Sequence, residues 1–255
     1  MPLQIVTVPC LSDNYAYLVH DPASDETALV DAPESGPILQ ALAKRGWRLD
    51  QVLLTHHHHD HVEGLPAILA AHPARVTGAA ADAHRLPPLD QEVAEDDHVS
   101  IGAERGRVIA VPGHTVGHIA FHFPDSGLAF TADSLMALGC GRLFEGTPEQ
   151  MWDSLSKLAA LPADTLVCSG HEYTLNNARW AMSVDPGNAA LSERAERVRD
   201  ARAEGRATVP STLSEELATN PFLRAADADL KAAMDMKEAA PVEVFAALRR
   251  SKDAF

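Results

Sequence analysis

The sequence predicts a mixed α/β domain followed by a small all-helical one. Three observations carry this. Short β-branched or aromatic runs alternate with helix-patterned segments up to residue 171. After Tyr173 the strand-like runs vanish, and Ala, Arg and Glu dominate. The 255 residues suffice for one large domain with a small one beside it. The expected domains are residues 1–172 and 173–255.

Residues 4–8, 15–20 and 27–31 are short, β-rich and bounded by Asn, Asp, Ser or Pro, so they predict strands. Residues 37–45 carry apolar positions at helical spacing and stop at Gly46, which predicts a helix. Residues 51–55 predict a strand that runs into a group of histidines, with a helix starting near Val62 and Glu63. Further strands are expected at 107–111, 118–123, 128–131 and 165–168. Between the last two, Thr147 with Gln150 forms a capping box and Pro148 takes the first helical position. Met151, Leu155 and Leu158 then share one helical face. Helical patterns follow at 188–203, 213–219, 226–236 and 241–250.

The composition is that of a globular chain, with 46% hydrophobic and 22% charged residues. A formal net charge of -15 repels phosphate backbones, so no nucleic-acid partner is expected. Cys10, Cys140 and Cys168 lie in no paired or metal-binding spacing and are expected to be reduced thiols. The N-terminal stretch has no basic segment followed by a long apolar run. No segment approaches the roughly 20 apolar residues of a membrane span. A cytoplasmic protein with no membrane association is therefore expected. The 13 histidines are an excess of the residue that ligates metals and carries protons.

The chemistry concentrates at Thr55-His56-His57-His58-His59-Asp60-His61. In an extended segment side chains alternate, so His56 and His58 project to one side and His57 and His59 to the other. Asp60 and His61 follow at the turn. The geometry can place His56 and His58 on one ion and Asp60 and His61 on a neighbour. A histidine tag is terminal and uniform, whereas this run is internal and interrupted by Asp60. Other candidates recur at strand ends: Gly113-His114, with His118 beyond it; Asp133 after the 128–131 strand; and Gly170-His171. Loops at one sheet edge can converge on a single cleft. Alone, each of these would read as a turn residue; the joint pattern is the signal. His118 reads as a supporting residue.

Thr55 to His61 resembles the THxHxDH signature of the metallo-β-lactamase superfamily. Gly113-His114, Asp133 and Gly170-His171 fall in the order in which that superfamily supplies its remaining ligands. The resemblance implies a four-layer αββα sandwich. It also implies one metal held by His56, His58 and His114, a second held by Asp60, His61 and His171, and Asp133 bridging the two. His57 and His59 occupy variable positions. Imidazoles and carboxylates suit zinc, and also iron or manganese. The implied cofactors are two divalent ions, with zinc first. A water shared by the pair ionises near neutral pH and supplies a hydroxide nucleophile, with Asp60 and Asp133 as the catalytic carboxylates.

Three further stretches resemble the glyoxalase II (hydroxyacylglutathione hydrolase) family. They are Gly139 to Thr147 (GCGRLFEGT), Ser169 to Asn177 (SGHEYTLNN), and the tail with Thr219-Asn220-Pro221-Phe222 and Arg249 to Phe255. The match runs from Asp13-Asn14-Tyr15 to the last residue. It implies hydrolysis of S-(2-hydroxyacyl)glutathione, chiefly S-D-lactoylglutathione, to glutathione and D-lactate. Another hydrolase of the same fold, a lactonase or a general thioesterase, is the alternative. Glutathione carries two carboxylates, which an acidic protein repels unless it places cations locally. The resemblance assigns Arg142, Arg249 and Lys252 to that task, with Phe144 and Tyr173 against the peptide part. Arg250 reads equally well as a favourable charge at the end of the last helix. Phe144 stands where several members carry Tyr, which removes one hydrogen bond to substrate. The expected partner is a small acyl-glutathione, bound by a monomer.

Overall fold

The computed structural model describes residues 2–255. The chain forms two compact units, Met1–Ala110 with Val116–Ala132, and Val111–Thr115 with Asp133–Phe255.

The first unit opens with strands β1 (Gln4–Cys10), β2 (Asn14–Asp21) and β3 (Glu26–Val30), then helix α1 (Ser35–Arg45). Gly46 ends α1 at φ 68°, a left-handed conformation in which a side chain would be strained. Strand β4 (Gln51–Leu53) leads to the one-turn α2 (His59–Val62) and to α3 (Leu65–Ala71). Then come β5 (Arg75–Ala79), β6 (Gln91–Val93), β7 (His98–Ile101), β8 (Glu104–Ala110), β9 (Ile119–Phe123) and β10 (Leu128–Ala132). The first sheet runs β1-β2-β3-β4-β5-β6. β1, β2 and β3 pair antiparallel, and β3 to β6 pair parallel. The order β10-β9-β8-β7 runs antiparallel in a second sheet.

One face of the first sheet packs Leu18, Leu29, Val52 and Leu54 against Ile38 and Leu42 of α1 and Leu65 and Ile68 of α3. Each such side chain contributes about 1.5–3 kcal/mol when fully buried. The other face meets the second sheet, where Tyr17 lies 5.6 Å from Phe130 between ring centroids. The parallel strands bring their C-terminal ends to one sheet edge, where loops are free of the ladder and functional groups collect. Asp31 leaves β3 there, the histidine run leaves β4, and Asp82 follows β5.

The second unit contains the hairpin β11 (Leu135–Met136) and β12 (Gly139–Cys140), helix α4 (Pro148–Ala159) and β13 (Leu166–Ser169). Helices α5 (Thr174–Val184) and α6 (Ala189–Ala203) follow, then β14 (Ser211–Thr212), α7 (Leu213–Thr219), α8 (Ala228–Ala233) and α9 (Pro241–Ala254). The capping box expected on α4 is present: Gln150 N–H donates to Thr147 Oγ1 (3.3 Å), and Thr147 N–H donates to Gln150 Oε1 (2.9 Å). In the helical core Phe222 stacks on Trp180 and meets Phe245 at a tilt, with centroids 4.9 and 5.6 Å apart.

A buried polar network ties the helices to the hairpin. Glu216 accepts from the N–H of Leu138 (2.9 Å) and from Ser211 Oγ (2.6 Å), and it pairs with the Arg194 guanidinium. Asn220 Nδ2 donates to the carbonyls of Met136 (3.1 Å) and Gly139 (3.0 Å). The buried charges are thus both paired and fully hydrogen-bonded, the condition under which such a pair is tolerated in a core.

The structure corrects several sequence expectations. Helix α5 was not expected, because Asn176 and Asn177 sit in its first turn and Tyr173 makes no side-chain cap. Strands β5, β6 and β7 were likewise not anticipated, since they are short and one contains Gly78. Strand-like pairing does not end at Tyr173: the two-residue β14 pairs with β13. The last helix continues past residue 250 to Ala254. No helix among the described residues is long and apolar enough to cross a membrane.

Candidate metal centre

In the first unit, His56, His58, Asp60 and His61 leave β4 together. His56 and His61 are buried, and His58 and Asp60 are half-buried. The His56 ring lies 4.7 Å from that of His58 and 4.2 Å from that of His61. Asp60 Oδ2 lies 3.9 Å from His61 Nε2.

Their orientation comes from residues that sequence reasoning did not single out. Asp31, at φ 58°, accepts from Thr55 N–H (2.9 Å) and Thr55 Oγ1–H (2.8 Å). It also accepts from His61 Nδ1 (2.8 Å). Because Thr55 gives its hydroxyl proton to Asp31, its oxygen accepts from His56 Nδ1 at 3.0 Å. One carboxylate therefore fixes the tautomer of two imidazoles and leaves each Nε2 with a lone pair that could hold a cation. Asp31 lies close enough to these rings to serve as a ligand itself. Its oxygens are taken up by Thr55 and by the Nδ1 side of His61, so it anchors these side chains instead. Asn14 Nδ2 donates to both the carbonyl and Oδ2 of Asp60, each at 3.0 Å. The signal for Asp31 was its position at the end of an expected strand, the same context as Asp133.

His57 turns to the buried Asp82, with Nδ1 at 3.1 Å from Oδ2. His118 stacks on His56 at 4.6 Å and hydrogen-bonds through Nδ1 to the carbonyl of Ile119, a supporting position.

In the second unit, His114, Asp133 and His171 are each about 95% buried. Asp133 Oδ2 lies 3.4 Å from His114 Nε2 and 3.3 Å from His171 Nε2. His114 Nδ1 donates to the carbonyl of Arg142 at 2.9 Å, so its Nε2 presents a lone pair toward the carboxylate. Two electron-rich atoms facing each other at this distance suit a cation, and the donor set of imidazoles and carboxylates fits a divalent one. Tyr173 stacks on His171 with centroids 4.6 Å apart, and Phe144, 63% exposed, lies 5.3 Å from His114.

Two of the three expected cations meet at Asp253. Arg249 Nη2 donates to Asp253 Oδ1 (2.9 Å), and Arg142 Nε lies 3.8 Å from the same oxygen. Lys252 Nζ donates to the carbonyl of Asn176 (3.3 Å) and lies over the Trp180 ring. Burial, and then repulsion from Arg249 and Arg142, pulls the Lys252 ammonium down to about 8. Arg142 is exposed and Lys252 half-buried, whereas Arg249 is only 5% exposed. The thiols are held protonated: burial pushes Cys10 up to about 12 and Cys140 up to about 11, and Cys168 shifts in the same direction. None of them offers a thiolate near neutral pH.

Comparison with known proteins gives the class first. Residues 12–171 match the metallo-beta-lactamase superfamily, and residues 172–255 match the family described as hydroxyacylglutathione hydrolase C-terminus. The crystal structure of BLEG-1 B3 metallo-beta-lactamase shares the fold at TM-score 0.67 and 19% identity, over 86% of this chain and 99% of that one. TTHA1623, solved in a di-iron-bound form, aligns at TM-score 0.61 and 27% identity over 86% of this chain and 100% of that one. The chain has the metallo-β-lactamase fold of a metal-dependent hydrolase, with a helical C-terminal part. A hydroxyacylglutathione hydrolase of Cereibacter sphaeroides is 68% identical over 255 residues, covering 100% of both chains. This chain belongs to the hydroxyacylglutathione hydrolase family.

Proposed function

We propose that the chain hydrolyses the thioester of S-(2-hydroxyacyl)glutathione, chiefly S-D-lactoylglutathione, releasing glutathione and D-lactate. The observation that carries the reading is the content of the second unit. There the His114–Asp133–His171 group lies beside two aromatic rings, and the same unit holds three cations gathered on α9 and the 139–147 segment. The first group suits a metal-assisted hydrolysis, and the second suits a ligand with two carboxylates.

In this reading His56, His58 and His114 would hold one divalent cation and Asp60, His61 and His171 another, with Asp133 as a further ligand. Zinc is the first expectation, with iron or manganese as alternatives; the di-iron form of TTHA1623 supports a pair of cations on this fold. Bound cations of this kind lower the pKa of water and stabilise charge on a carbonyl oxygen. Asp31 and Thr55 keep the Nε2 atoms of His56 and His61 turned outward. Asn14 holds the Asp60 carboxylate in place. Arg142, Arg249 and Lys252 bind carboxylates of the glutathione moiety, while Phe144 and Tyr173 pack on its peptide part. The leaving group is a thiol of pKa about 8.5, so no strong general acid is needed. Residues 173–255 serve as the glutathione-binding domain. The net charge of -15 supports a small-molecule substrate and no nucleic acid, and the reading places the protein in the cytoplasm as a monomer.

The test pairs metal analysis with a thioester assay. His58→Ala is expected to lower turnover of S-D-lactoylglutathione by about 10³-fold or more, the scale of losing several kcal/mol of charge stabilisation, and to reduce bound metal. Full activity in a metal-free preparation would end the proposal. Equal turnover of thioesters with and without the glutathione moiety would favour a general thioesterase.

A further inference from the structure

Asp82 is a carboxylate with no exposed surface, in the turn after β5. Taking such a charge out of water is costly unless both its oxygens are satisfied. Oδ1 accepts from Arg85 Nε at 3.2 Å, a partner three residues away. Oδ2 accepts from His57 Nδ1 at 3.1 Å, a partner 25 residues away in the chain. The first bond is local to the turn and neutralises the charge. The second reaches across to the histidine run and decides where its middle sits.

A second segment rests on the same carboxylate. At Gly117 a Cβ would lie 2.1 Å from Asp82 Cγ and 2.4 and 2.5 Å from its two oxygens, so the main chain passes directly against the carboxylate. Gly117 leads into His118, whose ring stacks on that of His56 with centroids 4.6 Å apart. One residue on, Ile119 N–H donates to the carbonyl of Thr55 at 3.0 Å. On the other side, the His57 ring meets that of His58 edge-on at 5.0 Å. Fixing His57 also fixes the peptide planes on either side of it, and with them the Cα–Cβ directions of His56 and His58. His61 stands apart, because it lies within α2 and is held by Asp31 directly.

We infer that Asp82 is the positioning residue of the His56–His58 pair, acting through the His57 ring on one side and through Gly117 and His118 on the other. The inference rests on the reading of His56 and His58 as ligands of one divalent cation. It makes the two cation sites unequal in what supports them. Loss of the Asp82 contacts weakens the cation on His56 and His58, and leaves the one on Asp60 and His61 to its own anchors, Asn14 and Asp31. His57, in a variable position of the signature, then has a task of its own in this chain.

The experiment uses the full-length protein as wild type, Asp82→Ala, Asp82→Asn, His57→Ala, Gly117→Ala and the double variant Asp82→Ala with Gly117→Ala. Zinc affinity of the metal-stripped proteins is measured by competition with a chromophoric chelator, resolved into successive equivalents. The electronic spectrum of the Co(II)-loaded proteins reports ligand geometry. Removing a group that orients a metal-bound histidine typically costs about 10–100-fold in affinity. Asp82 lies one contact further out, so Asp82→Ala is expected to weaken one equivalent by about tenfold and to leave the other at its wild-type value, with an altered Co(II) spectrum. Asp82→Asn, whose amide oxygen still accepts one bond, should recover part of the loss. Gly117→Ala should weaken the same equivalent, because its methyl displaces the carboxylate. In the Asp82→Ala background it should cost less, the coupling expected of residues in contact. If Asp82→Ala does not fold, His57→Ala decides, since it releases the run and keeps the Asp82–Arg85 pair; a loss of about tenfold at one equivalent is again expected. Wild-type affinity for both equivalents in the folded variants, or an equal loss at both, would overturn the inference and leave the proposed function standing. A wild-type protein that binds no divalent metal would overturn both.

Discussion

In the first unit the imidazoles of His56 and His61 lean on side chains, whereas in the second His114 leans on the main chain. His56 and His61 trace back to one carboxylate, Asp31, directly or through the Thr55 hydroxyl. His114 traces back to the carbonyl of Arg142. A carboxylate acceptor raises the basicity of the imidazole it holds and can be removed by one substitution. A carbonyl is present in every residue, so its usefulness lies in where the chain runs. The first support is local to the strand ends of one sheet, while the second is a carbonyl just past the β11–β12 hairpin.

The largest expected effect that tests this contrast is in the first unit. Asp31→Asn keeps the shape but cannot accept from Thr55 and His61 in the same way. Zinc affinity of the metal-stripped protein should fall by about 10–100-fold, read by chelator competition. An unchanged affinity would mean that the Asp31 network sets nothing beyond packing.

A smaller effect sharpens the second unit. The lowered Lys252 value means that its charge is present below about pH 8 and is lost as the pH rises through it. KM for the glutathione thioester should then rise by about tenfold from pH 7 to pH 9.5, the scale of one hydrogen bond to a charged group. Lys252→Arg, charged throughout that range, should remove the rise. A rise that persists in the arginine variant would assign the titration to another group.

The smallest effect is at Phe144. Phe144→Tyr restores a hydroxyl beside the His114 ring, and KM should fall by about two- to tenfold for the glutathione thioester, the scale of one neutral hydrogen bond of 0.5–1.5 kcal/mol. No change on the thioester lacking glutathione is expected. Equal changes on both would mean that the ring contacts the acyl side.

Much of this was legible in the sequence because the strongest signals are short strings of side chains. The histidine run, Asp133 and the two Gly-His pairs announce themselves by residue type and by their place after apolar runs. The α4 capping box is likewise a four-residue pattern with a local cause. Helix α5 was hidden because its first turn carries Asn176 and Asn177, and it is held by burial of Trp180 and Asn177, a tertiary effect. Asp31 was read as the end of a strand, since nothing local distinguishes a carboxylate that anchors two imidazoles from one that caps a loop.

The sequence by itself determined which atoms were available as ligands, in what order along the chain, and the division into a mixed part and a helical part. These follow from side-chain chemistry and from apolar periodicity, both properties of neighbours in sequence. Only the tertiary structure decided which nitrogen of each histidine faces outward, and that Arg249 is buried on the Cys140 carbonyl while Arg142 and Lys252 keep access to solvent. The reason is physical. A main-chain acceptor has no residue type, and the burial of a long cation depends on what packs over it from distant parts of the chain.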